Sequence, residues 1–252
     1  MVTLRIVAVY PDLLGTYGDT GNAEILGRRA SWRGIDVDVL HASSADPLPR
    51  GDLYCLGGGE DGPQVLAAQR LKDDGTLRSA LEEGAVVFAV CAGFQIVGNS
   101  FPDAQGTLHN GLGLLDVATR KGTGSRCVGE VVVEFDALEH GGLGLPLLTG
   151  FENHAGLTTL GPSARRLGQV RHGTGNGGGD SSEGAFQDRI LGTYLHGPVL
   201  ARNPALADLL LTWATGGGEL QELDDSREIA LREERLLSAT RATNREGFAR
   251  KP

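Results

Sequence analysis

A cysteine between an apolar run and a helix-like segment is the residue best suited to chemistry in this chain. Cys91 follows Ala85 to Val90, a run of strand length rich in valine, and leads into Ala92-Gly93-Phe94-Gln95 and a short apolar stretch that closes near Asn99. A thiol on such a strand-to-helix corner has the setting of a nucleophile elbow. Small neighbours let the backbone turn sharply, and the partial positive charge of a helix N-terminus favours a thiolate. A buried structural cysteine would also fit the corner, so the presence of a base elsewhere in the chain decides between the two.

The histidine of Thr193-Tyr194-Leu195-His196-Gly197-Pro198 supplies that base. Arg189 to Leu195 is strand-like, and His196 is expected to end a strand much as Cys91 does. A cysteine and a histidine far apart in sequence, both delivered by strand ends, fit a nucleophile and its general base. His154 lies in Gly150-Phe151-Glu152-Asn153-His154-Ala155-Gly156, a polar motif read as a loop, and is expected to serve binding or loop structure. His41, His109, His140 and His172 form neither a HExxH motif nor a Cys/His pair spacing, so no metal site is implied. Gly57-Gly58-Gly59 follows the strand-like Asp52 to Leu56. Residues without a β-carbon let backbone N–H groups approach an oxyanion, and Gly58 is expected to pair with the amide of Ala92 for that purpose. An ordinary strand-end turn is the plainer alternative, and the absence of GxxxxGK[ST] sets a P-loop aside.

These residues need strands that end together. Thr3 to Val9 reads as a strand, a polar loop runs from Tyr10 to Asn22, a helix spans about Ala23 to Trp32, and a strand follows from Ile35 to Leu40. Helices are expected from Pro63 to about Asp73 and from Leu77 to Glu83. Alternating strands and helices imply an α/β fold, a mostly parallel central sheet with helices on both faces and functional groups outside the carboxyl ends of the strands. Gly106 to Gly124 is turn-rich around the short run Leu112 to Val117, and Cys127 to Phe135 alternates as an antiparallel or edge strand would. Gly173 to Gly184, reading GTGNGGGDSSEG, has the composition of a flexible surface loop. Asn203 and Pro204 suit the cap and first position of a helix from about Ala205 to Ala214. Beyond a break at 216–218, a charged helix is expected from Ser226 to about Thr243, with a tail from Arg245 to Pro252. The domain is therefore expected to span residues 1–215, with 216–252 as a helical extension and tail.

Composition narrows the class further. The 252 residues carry 23 Lys and Arg against 32 Asp and Glu, a net charge of −9 with no basic stripe, which argues against nucleic acid as a partner. Cys55, Cys91 and Cys127 are odd in number and form no CxxC pair, as expected in a reducing compartment without a disulfide framework. With no signal-peptide pattern and no apolar run long enough to span a bilayer, the expectation is a soluble cytoplasmic protein.

Taken together, the motifs resemble the cobyric-acid-synthase type of class I glutamine amidotransferase, and most closely the glutaminase subunits of lipid II isoglutaminyl synthases. The resemblance rests on Tyr10-Pro11-Asp12-Leu13, Tyr17-Gly18-Asp19-Thr20-Gly21-Asn22, Gly57-Gly58-Gly59-Glu60-Asp61, Cys91-Ala92-Gly93-Phe94-Gln95, Gly150 to Gly156 and Tyr194 to Pro198, in that order. It implies that Cys91 attacks the side-chain amide of L-glutamine, that His196 is base and then acid, and that Gly58 and Ala92 receive the oxyanion. Gln95 and Arg126 would contact the substrate, Arg126 because a guanidinium fork matches the α-carboxylate. It further implies a heterodimer with a Mur-ligase-like synthetase that holds ATP and magnesium, reaches lipid II, and uses the ammonia to convert D-glutamate to D-isoglutamine. No cofactor and no membrane insertion are implied for this chain. Most class I enzymes carry a glutamate two residues after the histidine, where this chain has Pro198, so the acid that orients His196 is expected from elsewhere, with the partner as the hypothesis. Two alternatives stay open: a detached cobyrinic or cobyric acid synthase glutaminase, and a glutaminase-like binding subunit with an idle thiol. The parts played by Asp19, Asn22 and Asn153 are left undecided.

Overall fold

The computed structural model describes residues 3–136 and 147–249, with side chains described to Ala239; His140 lies outside them. The chain opens with β1 (Leu4–Val9), a short α1 (Pro11–Leu14), α2 (Gly21–Trp32) and β2 (Val37–Ala42). There follow β3 (Leu53–Leu56), α3 (Asp61–Asp74), α4 (Thr76–Glu82), β4 (Val86–Val90) and α5 (Ala92–Val97). An all-strand stretch comes next: β5 (Ser100–Pro102), β6 (Leu108–Asn110), β7 (Val117–Lys121), β8 (Cys127–Phe135), β9 (Leu148–His154), β10 (Gly156–Leu160), β11 (Gly168–His172), β12 (Ser182–Glu183) and β13 (Ala185–Gln187). The chain ends with β14 (Ile190–Thr193), α6 (Val199–Arg202), α7 (Pro204–Ala214) and α8 (Ser226–Ala249).

Among the described residues the central sheet runs β13-β14-β4-β3-β1-β2, parallel throughout except for the antiparallel edge strand β13. Its middle strands are apolar at nearly every position because both faces are covered: Val86 to Val90 are all buried, as are Leu53 to Leu56. The helix after β1 leads outward to β2, whereas α3 and α4 lead the opposite way from β3 to β4. With right-handed crossovers these helices cover opposite faces, and the reversal of direction lies between β1 and β3. The loops leaving the carboxyl ends of those two strands, Tyr10 to Thr20 and Gly57 to Glu60, therefore border the crevice where α/β sheets bind ligands. An isolated bridge between Thr16 and Gly58 ties the two loops together.

The stretch between α5 and β14 forms two antiparallel-rich sheets, ordered β10-β7-β5-β6 and β12-β11-β8-β9. Strand β8 has the predicted bounds and sits between β11 and β9, antiparallel to both, so it is no edge strand. Gly173 to Gly184 departs from its flexible-loop reading: Asn176 is fully buried, its side chain donates to Ser182 Oγ and the Gly184 carbonyl, and the Gly184 N–H donates back to Asn176 Oδ1. Its glycines at 173, 175, 177, 179 and 184 all have positive φ, which explains the composition as tight turning and not as slackness.

Helix α8 extends beyond the expected Thr243 to Ala249 and packs on β8, β9 and α6. The segment before it is fastened by Arg29 on α2, which is buried and donates to both Asp208 on α7 and Asp225. Asn203 stands at the start of α7 but does not cap it through its side chain. Instead the carboxamide exchanges hydrogen bonds with the backbone of Thr149 on β9.

Candidate active site

Cys91 occupies the corner between β4 and α5, with φ 52° and ψ −104°, a conformation that a residue with a side chain adopts only when its surroundings enforce it. The enforcing contacts are local. The Cys91 N–H donates to the Thr193 carbonyl at the end of β14, and the Gly93 N–H donates to the Gly57 carbonyl. A β-carbon on Gly93 would lie 2.6 Å from that of Leu56, so only glycine lets α5 seat against the end of β3. The thiol is left nearly buried, at 7% exposure for the residue.

His196 reaches the cysteine by a different route from the one expected. Strand β14 stops at Thr193, and His196 is fixed three residues later by a two-way bridge to Phe151 on β9: its N–H donates to the Phe151 carbonyl at 2.9 Å and its carbonyl accepts the Phe151 N–H at 3.1 Å. The side chain is buried, with Nδ1 2.8 Å from Oδ2 of Asp19. A carboxylate accepts, so Nδ1 carries the proton and Nε2 is the basic nitrogen. Among the described residues Nε2 has no partner other than Cys91. Burial opposes a charge on this ring, but the hydrogen bonds and negative charge of Asp19 and Cys91 outweigh it and push the His196 pKa up to about 10. A histidine held by a carboxylate beside a cysteine is the arrangement that general-base chemistry at a thiol requires.

Asp19 is thus the orienting acid that the sequence motif lacks at Pro198. It belongs to this chain, so an acid at His196 does not require the partner that the motif reading invoked. It is 2% exposed and comes from the loop after β1, 177 residues from His196. No spacing rule links the two positions. The signal available in the sequence was the acid within Tyr17-Gly18-Asp19-Thr20-Gly21-Asn22, and Asn22 of that motif proves to be a brace, its Oδ1 accepting the Leu200 N–H just beyond His196.

The same carboxylate changes the reading of the glycine loop. The Gly58 N–H donates to Asp19 Oδ2 at 2.9 Å, so it is not free for an oxyanion. Gly59, the next residue, lines the cavity in front of Cys91 together with Ala92. Ala92 opens α5, and first-turn N–H groups have no partner within their helix. The expected pairing of the Gly58 and Ala92 amides is thus not what the structure shows for Gly58, whose hydrogen is spent on Asp19, while Gly59 and Ala92 both line the cavity.

The cavity is lined by Cys91, Ala92, Gln95, Arg126 and His154 with Lys121, Asp61 and Asp103, and His196 is not among its lining residues. Arg126 is exposed at the mouth, its guanidinium steadied by Nε and Nη2 bonds to the side chain and carbonyl of Asn153, which gives Asn153 its part. Gln95 lines the wall with both ends of its carboxamide engaged: Oε1 accepts from Gln64 at 2.9 Å and Nε2 donates to the Tyr194 hydroxyl at 3.1 Å. The Tyr194 hydroxyl also meets Thr158, and its ring stacks on His154 with centroids 3.9 Å apart. His154 ends β9 and is not in a loop; with Nδ1 on the Gly156 carbonyl and the ring beneath Tyr194, it forms part of the cavity floor and lies outside the Cys91–His196 pair. Among the described residues no group of three or more His, Cys, Asp or Glu is placed to hold a metal, and no helix is long and apolar enough to cross a membrane.

The model of the CobB/CobQ-like glutamine amidotransferase domain matches residues 5–204. The lipid II isoglutaminyl synthase (glutamine-hydrolyzing) subunit GatD of Staphylococcus aureus is 34% identical over 248 residues, covering 96% of this chain and 98% of its own length. The subunit of the same name from Streptococcus pneumoniae is 34% identical over 217 residues, 84% of this chain and 80% of its own. A solved glutamine amidotransferase superposes with a TM-score of 0.57 at 19% identity, covering 83% of this chain and 98% of that one, a likeness of fold.

Proposed function

The chain belongs to the CobB/CobQ-like glutamine amidotransferase family, and from that premise we propose that it is the cytoplasmic glutaminase subunit of a lipid II isoglutaminyl synthase. The observation that carries this reading is the match to a glutamine-hydrolyzing subunit across nearly the full length of both chains. The join of Cys91, His196 and Asp19 in one site supports the hydrolytic half.

In the proposed reaction the α-carboxylate of L-glutamine pairs with Arg126 at the cavity mouth, and the side-chain amide extends to Cys91. The thiolate attacks the carboxamide carbon, and the oxygen gains negative charge beside the N–H groups of Gly59 and Ala92. His196, already holding the proton, gives it from Nε2 to the departing ammonia, and a thioester remains on Cys91. His196 then takes a proton from water, which attacks the thioester and releases glutamate. Asp19 holds the ring in one tautomer through both halves. The ammonia is proposed to pass to a Mur-ligase-like partner that binds ATP and magnesium and activates D-glutamate of lipid II for conversion to D-isoglutamine.

The test is a reaction of this chain with the Mur-ligase-like partner, ATP, lipid II and amide-labelled glutamine, read by mass spectrometry of the lipid. Label enters lipid II with the wild-type chain and not with Cys91→Ala. Labelled ammonia without labelled lipid would refute the acceptor and leave the glutaminase standing, and no ammonia at all would refute the glutaminase.

A further inference from the structure

Tyr17 is 40% exposed, yet its ring centroid lies 5.0 Å from that of the buried His196, tilted by 58°. Its backbone is in the left-handed region with φ 69°, and Gly18 follows at φ 77°. A bulky residue takes that conformation only when contacts around it hold it there. Two successive left-handed residues turn the loop so that the side chains of Tyr17 and Asp19 both reach the imidazole. The packing leaves no slack: a β-carbon on Gly58 would lie 2.8 Å from His196 Cε1, 3.0 Å from Asp19 Oδ2 and 3.4 Å from Tyr17 Cδ2. Neither His196 nor Tyr17 is among the residues that line the cavity in front of Cys91. Tyr17 covers the ring from elsewhere.

We infer that Tyr17 is a positioning residue for the hydrolysis: its ring packs on His196, holds it between Asp19 and Cys91, and stands in place of water. Among the described residues the titratable groups at His196 are Asp19, Cys91 and Tyr17 itself, and the first two attract a proton to the ring. A ring packed on the imidazole excludes the water that would screen that attraction, and wherever its face meets the ring its quadrupole adds to it. The effect belongs to the ring and not to the hydroxyl. The inference rests on the Cys91–His196 pairing proposed above.

The test measures the rate of Cys91 alkylation by iodoacetamide against pH in the wild-type chain, Tyr17→Ala and Tyr17→Phe, with Cys91→Ala as background. Thermal melts and glutamine kinetics with the partner present accompany it. Tyr17→Ala is expected to slow alkylation about fivefold near pH ~6 and move the profile to higher pH. It is also expected to lower kcat while leaving KM within about twofold and the melt unchanged, and Tyr17→Phe is expected to restore all of these. A wild-type profile in Tyr17→Ala, or equal impairment in Tyr17→Phe, would overturn the inference and leave the glutaminase reading intact. A wild-type thiol that titrates as a free cysteine would overturn the pairing and the inference with it.

Discussion

Replacing Glu183 with glutamine should flatten the pH dependence of stability. Glu183 is fully buried on β12, where Oε1 accepts hydrogen bonds from Thr193 Oγ1 and the Tyr194 N–H, while Oε2 has no partner among the described residues. Burial pushes its pKa from 4.5 to about 7, with the charge of nearby Glu152 acting in the same direction against the hydrogen bonds. The sign follows from proton counting. Between pH 4.5 and about 7 the unfolded chain has released this proton and the folded chain still holds it. Stability therefore falls as pH rises through that window and levels off above it. A displacement of about 2.5 units corresponds to about 3 kcal/mol, on the order of 6–12 °C in melting temperature for a chain of this size. Glutamine keeps an oxygen for Thr193 and Tyr194 and cannot ionise. Urea unfolding followed by circular dichroism at about pH 5, 6, 7 and 8 should show the wild-type chain losing about 2.5 kcal/mol relative to Glu183→Gln across the series, the rest of the effect lying below pH ~5. Parallel curves for the two proteins would show that Glu183 does not hold its proton in the folded state, and the argument would be wrong.

Two further outcomes follow from the same structure. Asp19→Asn should lower kcat for glutamine hydrolysis by roughly 100-fold or more with little change in KM, because an amide cannot hold the His196 tautomer as a carboxylate does; steady-state kinetics check it. Arg29→Met should cost about 3 kcal/mol in urea unfolding, since it removes the buried cation from Asp208 and Asp225, and an unchanged midpoint would make the cluster ornamental.

Much of this protein was legible from its residues. Apolar runs such as VVFAV and the helix signals between them follow from local periodicity, so the parallel sheet and the Cys91 corner could be read directly. The proposed nucleophile and base were also legible locally, from what precedes Cys91 and from the Tyr194-Leu195-His196-Gly197-Pro198 motif. Gly173 to Gly184 misled because composition reports only that a segment is rich in glycine. Whether those glycines confer slack or satisfy positive-φ turns depends on what the loop is bonded to, here Glu152, whose carboxylate accepts the N–H groups of Thr174 and Gly175.

The acid beside His196 could not be read that way. Asp19 meets His196 across 177 residues because β1 and β14 belong to one sheet, and it meets Gly58 because β1 and β3 are neighbours at the reversal of strand direction. His196 itself is set by a bridge to Phe151 on a different sheet. Sequence by itself determined which residues had the chemistry, since reactivity begins with side-chain type and local backbone. The tertiary structure alone decided which acid serves which base, and which glycine N–H is already taken, because hydrogen bonds are settled by distances of about 3 Å that no spacing along the chain encodes.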